Sequence, residues 1–108
     1  MDQINQLLSI ASDLRTGLND GMAPAKLLDE KDELLEALSK GDDVETLTEA
    51  GDVAYFAIKS IDWAAKQIGI EIETLLAVAI AKYQSRMLFG KDKDLEAKAC
   101  LSVIKELA

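Results

Sequence analysis

Histidine is absent from the 108 residues, and cysteine occurs once, at Cys100. Without His, no Ser-His-Asp triad, no His-built zinc site and no di-iron centre of Glu-x-x-His pairs can form. A lone Cys forms no internal disulfide, so a reducing compartment fits and a cytoplasmic protein is expected. A basic stripe is missing too: 12 Lys and Arg stand against 20 Asp and Glu, a formal net charge of -8. That balance argues against nucleic acid as a partner. A small phosphorylated molecule is still compatible with it, because a metal can bridge acids to an anion. Long apolar runs are also lacking. The most apolar window, Ile68 to Ala81, is broken by Glu71 and Glu73 and is too short to span a bilayer, so no membrane association is expected. Met1-Asp2-Gln3-Ile4-Asn5 has neither a basic start nor an apolar core, and no secretory signal is expected there.

Strand signals are nearly absent, and helical spacing dominates what remains. With 49% hydrophobic residues the chain can bury a modest core, and residues 1–108 read as one all-α domain, a bundle of about five helices with a four-helix core. Ile4, Leu7, Leu8, Ala11, Leu14 and Arg15 recur at helical spacing, and Gly17 with Asn19-Asp20-Gly21 reads as the end of that helix. Pro24, the one proline, suits the first turn of a second helix reaching about Lys40, with Gly41 as its stop. Asp42 or Asp43 is placed to cap a third helix with Glu45 at its third position, and this helix continues to Gln67 or Ile68 before Gly69. A fourth is expected from about Ile70 to Leu88 with Gly90 as stop, and a fifth from Asp92 or Asp94 to the end.

The chemistry concentrates in two short stretches. Glu30 and Glu33 on the second helix, and Glu49 and Asp52 on the third, are pairs three residues apart, each pair on one helix face. If the two helices pack side by side, four acids meet, and such a cluster repels itself unless a cation sits among them. On the second helix Leu27, Leu34 and Leu38 form an apolar stripe widened by Leu28 and Leu35. Glu30, Glu33 and Ala37 fall on its edge, while Asp29, Asp32 and Glu36 point toward solvent. Gly51, between the acids of the third helix, costs about 1 kcal/mol relative to Ala in a helix interior, which suggests a packing or site reason for it. Oxygen ligands without His or Cys select a hard divalent cation, Mg²⁺ first and Mn²⁺ as a substitute. Because magnesium is usually completed by substrate phosphates, the pattern points toward phosphate-ester or phosphoanhydride chemistry. Lys82 and Arg86, one turn apart on the fourth helix, are candidates for holding phosphates, though near a helix C-terminus they also complement the helix dipole. Leu75 through Ala81 are apolar around the whole circumference, so a homo-oligomer is expected, a dimer or a dimer of dimers, with the fourth or the third helix in its interface.

Taken together, Asp29-Glu30-Lys31-Asp32-Glu33, fifteen intervening residues and Glu49-Ala50-Gly51-Asp52 resemble the motif of the all-α nucleoside triphosphate pyrophosphohydrolases, the MazG-like superfamily. Glu33-Leu34-Leu35-Glu36-Ala37 matches that family's continuation and fixes the register, Pro24-Ala25-Lys26-Leu27-Leu28 is similar to its lead-in, and Lys82 with Arg86 to its basic motif. The resemblance covers about residues 22 to 90. Two positions depart from it: Asp29 stands where Glu is usual, and Gln84 and Ser85 stand where an Asn commonly lies. The resemblance implies hydrolysis of a nucleoside triphosphate between the α and β phosphates, releasing the monophosphate and pyrophosphate. It further implies Glu30, Glu33, Glu49 and Asp52 as metal ligands and catalytic residues, Mg²⁺ as the cofactor, and Lys82 and Arg86 as phosphate-binding residues. Glu33 or Glu30 would accept the proton of the attacking water. Non-canonical or surplus deoxynucleoside triphosphates are the expected substrates. Two alternatives stand beside this reading: a phosphoribosyl-ATP pyrophosphatase-like enzyme, and a non-enzymatic helical interaction module whose acidic helices serve only solubility.

Overall fold

The computed structural model describes residues 2–13 and 22–107. Five α-helices account for nearly all of them: α1 (Asp2–Asp13), α2 (Ala23–Lys40), α3 (Asp43–Gln67), α4 (Ile72–Phe89) and α5 (Lys93–Leu107). Among the described residues there is no strand, and no helix is long and apolar enough to cross a membrane. The all-α class expected from the spacing is therefore the class observed. Leu14, Arg15, Gly17 and the Asn19-Asp20-Gly21 stop lie outside the described residues. The chain divides into two compact units, Met1–Ala64 and Ala65–Ala108.

In the first unit, Pro24 lies in the opening turn of α2, where its missing N–H costs nothing. Gly41 ends that helix at φ 71°, and its N–H donates to the Leu38 carbonyl at 3.2 Å. A side chain with a Cβ is strained in this left-handed conformation, so glycine lets the chain turn at once. Asp42 follows directly as the cap of α3, its Oδ1 accepting the Glu45 N–H at 3.0 Å. Of the two acids the sequence offered for this role, Asp42 fills it. Lys40 reaches across the connection, 3.5 Å from Glu36 and 3.7 Å from Glu45, although such exposed pairs add little stability.

The buried side of α2 is not the leucine stripe. Ala23, Glu30 and Ala37 are its buried residues, seven apart and therefore two turns apart on one line. Leu27 and Leu34 are half-buried, while Leu28, Leu35 and Leu38 are more than half exposed. Glu30 thus lies in the middle of the buried line instead of at the edge of the apolar stripe.

In the second unit, α4 packs against α5. Gly90, at φ 74°, closes α4, and Asp92 caps α5 by accepting the N–H groups of Asp94 and Leu95 at 3.0 and 3.2 Å. With so short a connection the helices run antiparallel: Arg86 meets Glu96 near the turn, and the Cys100 thiol lies 3.8 Å from the Val78 carbonyl further along. Ala65, Ile72, Ser85 and Glu96 are buried, whereas Ile80, Tyr83, Met87, Leu88 and Phe89 all remain well exposed on α4.

Candidate metal centre

Glu30 lies eleven residues before Gly41, and Asp52 lies ten residues after Asp42. At about 1.5 Å per residue, both sit some 15 Å up the same helical hairpin and come level with each other. The result is a group of three acids: one oxygen from each of Glu30, Glu49 and Asp52, all within 4.8 Å of one another. Opposite ligands of a magnesium ion lie about 4.2 Å apart, twice a metal–oxygen distance near 2.1 Å, so three oxygens at this separation suit a single small cation.

The surroundings make an ion-free cluster costly. Glu30 is only 6% exposed, and Glu49 and Asp52 are half-buried. Oε1 of Glu30 faces the Lys26 ammonium at 3.4 Å. Oε2 of Glu30 and Oε2 of Glu49 are buried with no hydrogen-bond partner among the described residues. A buried acceptor without a donor costs about 1–3 kcal/mol, and more when it is charged. Burial pushes the Glu30 carboxyl above its ordinary value, and the neighbouring Glu33 carboxyl pushes it further, against the opposing pull of Lys26. These donors are all oxygens, two of them orphaned and buried, so the cluster fits a hard divalent ion.

Glu33 is placed differently from the other three. It is exposed and stands beside Glu30, while the mutual 4.8 Å group contains Glu30, Glu49 and Asp52. Asp29, Asp32 and Glu36 are exposed, as the helical wheel requires.

At Gly51 nothing beyond its own helix turn and chain neighbours lies within 4 Å of where a Cβ would stand, and the residue is exposed, so packing among the described residues gives no reason for glycine there. Gly51→Ala is expected to raise stability by about 1 kcal/mol, a gain of about 4–8 °C in melting temperature. A thermal melt that stayed level or fell would show that the space beside Gly51 is occupied after all.

Lys82 and Arg86 belong to the second unit, where they flank one ring: the Lys82 Nζ lies 5.7 Å and the Arg86 guanidinium carbon 5.1 Å from the centroid of Tyr83. Arg86 Nε also donates to Glu96 Oε1 at 2.6 Å. Glu96 is buried, and its carboxyl is held below the ordinary range, first by the Arg86 hydrogen bond, against burial, and then by the charges of Arg86, Lys82 and Lys91. Sequence reasoning missed Glu96. Its only signal was a carboxylate one turn into a helix that Asp92 starts, ten residues beyond an arginine on the preceding helix.

A family model described as the MazG nucleotide pyrophosphohydrolase domain matches residues 22–88, more than half of the chain and all six residues singled out for the site. No curated protein and no solved structure matches the chain.

Proposed function

The chain belongs to the MazG nucleotide pyrophosphohydrolase family, and we propose from this that it hydrolyses deoxynucleoside triphosphates, surplus or non-canonical ones, to monophosphate and pyrophosphate with Mg²⁺ as cofactor. The observation that carries the reading is the pair of buried, unpartnered oxygens, Glu30 Oε2 and Glu49 Oε2, within the cluster completed by Asp52. Glu30, Glu49 and Asp52 would hold the ion, and Glu33 would extend the acidic set from beside Glu30. When bound, the ion supplies charge neutralisation for phosphate oxygens and acidifies water. Mn²⁺ would substitute for it.

In the reaction, a water oxygen bonds to the α-phosphorus, and the bond from that phosphorus to the bridging oxygen of the β-phosphate breaks. Pyrophosphate leaves with the bridging oxygen. Glu33 would take the water's proton: it is exposed, so it can return the proton to solvent while Glu30 serves the ion. Lys82 and Arg86 hold the phosphates that depart. No covalent intermediate is needed, since this chemistry depends on positioning and charge stabilisation. The exposed apolar run Ile80, Met87, Leu88 and Phe89 on α4 supports a homo-oligomer as the working form.

Incubation with a panel of nucleotides and Mg²⁺, with pyrophosphate as the readout, tests the proposal. Release from at least one deoxynucleoside triphosphate is expected. No release from any of them, with a melting temperature indifferent to Mg²⁺, would favour a helical interaction module.

A further inference from the structure

The geometry points to Glu96 as the positioning residue for phosphate binding: a buried carboxylate on α5 that fixes the Arg86 guanidinium so that its remaining donors meet a diphosphate group. The inference rests on the proposed phosphate role of Lys82 and Arg86, and adds a residue eight positions beyond the end of the family match.

Three features of the second unit support it. First, the 2.6 Å bond is made by Arg86 Nε, one of the five guanidinium donors, and a contact at Nε leaves the two-nitrogen edge that pairs with phosphate as a separate face of the same rigid plane. Second, the Arg86 side chain is 31% exposed, while that of Glu96 is only 8% exposed, so a solvent-borne anion can reach the cation and not the acid that holds it. Third, the Tyr83 ring supports the guanidinium from one side, and Lys82 lies against the same ring. Arg86 pairs with Glu96 and shares the Tyr83 ring with Lys82, so two cations gather here in a chain whose net charge is -8. A long arginine loses rotamer freedom when it grips a ligand, and a guanidinium already fixed at Nε and set over a ring has lost much of it beforehand.

Charge and orientation predict opposite signs for one substitution. If Glu96 acted only through its charge, Glu96→Gln would make the patch more positive and tighten anion binding. If Glu96 orients Arg86, the same change weakens binding, by about tenfold for loss of one well-placed charge-assisted hydrogen bond.

Calorimetric titration of the full chain with inorganic pyrophosphate in the presence of Mg²⁺ measures this. Glu96→Gln is expected to raise the dissociation constant about tenfold and Arg86→Ala by at least as much. The double variant should bind no more weakly than Arg86→Ala alone, because Glu96 acts through that arginine. Unchanged or tighter binding by Glu96→Gln, additive losses in the double variant, or no pyrophosphate binding by the unmodified protein would overturn the inference. Should Glu96→Gln fail to fold, Glu96→Asp keeps the charge one methylene short of Nε. Weaker binding is expected from it too, and unchanged binding overturns the inference. The proposed hydrolysis is judged separately: turnover with wild-type pyrophosphate affinity in Arg86→Ala sinks the phosphate role of Arg86 and the positioning role with it but leaves the hydrolase standing, and the expected pattern without turnover of any nucleotide sinks only the hydrolase.

Discussion

Asp52→Asn is expected to reduce pyrophosphate release by more than about a hundredfold without loss of helicity. The amide keeps the size of the side chain and one oxygen, but it removes one negative charge from the three-carboxylate group with Glu30 and Glu49. Affinity for a hard divalent cation depends on the number of charged ligands, and losing only a hydrogen-bond partner of a metal ligand already costs about 10–100-fold. Removing a ligand itself should cost more. Asp52 is half-buried and has like-charged neighbours, so the fold does not depend on its charge. Steady-state turnover and circular dichroism on the same sample check both halves of the expectation. Lost helicity would show the acid to be structural, and retained turnover would remove it from the site.

Glu30→Gln has the second large effect, and its sign differs between metal-free and metal-loaded protein. Without a cation, the buried Glu30 carboxylate has one oxygen against Lys26 and one with no partner, so ionising it opposes folding. An amide there carries no charge and gives its N–H groups to the surrounding carboxylates. Metal-free protein is therefore expected to gain about 1 kcal/mol or more at neutral pH, a rise of about 4 °C or more in melting temperature. With Mg²⁺ the order reverses, because the variant lacks a ligand and should show little of the wild-type's metal-induced stabilisation.

The same carboxyl gives a pH dependence. Its folded value lies above the ordinary 4.5, chiefly through burial and then through Glu33. Its favourable contribution is present below that ordinary value and is lost as pH rises through the folded one. The gap between variant and wild type should accordingly open as pH rises above about 4.5. Glu96 works in the opposite direction: its value is lowered, chiefly by the Arg86 hydrogen bond, so its stabilisation is present above 4.5 and lost as pH falls through its folded value. Thermal melts of wild type and Glu30→Gln across this range, without metal, separate the two groups, because only the Glu30 term is deleted.

Much of this was legible in the chain because it depends on neighbours in sequence. Pro24, Gly41, Asp42, Gly69, Gly90 and Asp92 punctuate the helices where turn chemistry predicts, and among the described residues the clearest difference is the start of α4, at Ile72 after an extended Glu71 in place of Ile70. The convergence of Glu30, Glu49 and Asp52 was legible too, since a short connection puts residues equally far from it at the same height. What was not legible depends on distance of approach. Hydrophobicity favoured the leucines of α2 as its inner face, but Ala23, Glu30 and Ala37 line the buried side. Glu33 stood with Glu30 in the spacing argument, yet it is exposed. Three residues advance a helix by about 300°, so the two side chains diverge by about 60°, enough to separate a buried position from a wet one. The Arg86–Glu96 bond joins residues on two helices and follows from their packing alone.

Everything proposed for the reaction depends on a divalent cation finding the oxygens of Glu30, Glu49 and Asp52, and calorimetric titration of the metal-free protein with Mn²⁺, repeated with Mg²⁺, measures that directly. Saturable binding that Asp52→Asn and Glu30→Gln both weaken is the predicted result. Absence of binding heat together with an unchanged melting temperature, or affinity undiminished in both variants, would contradict the account.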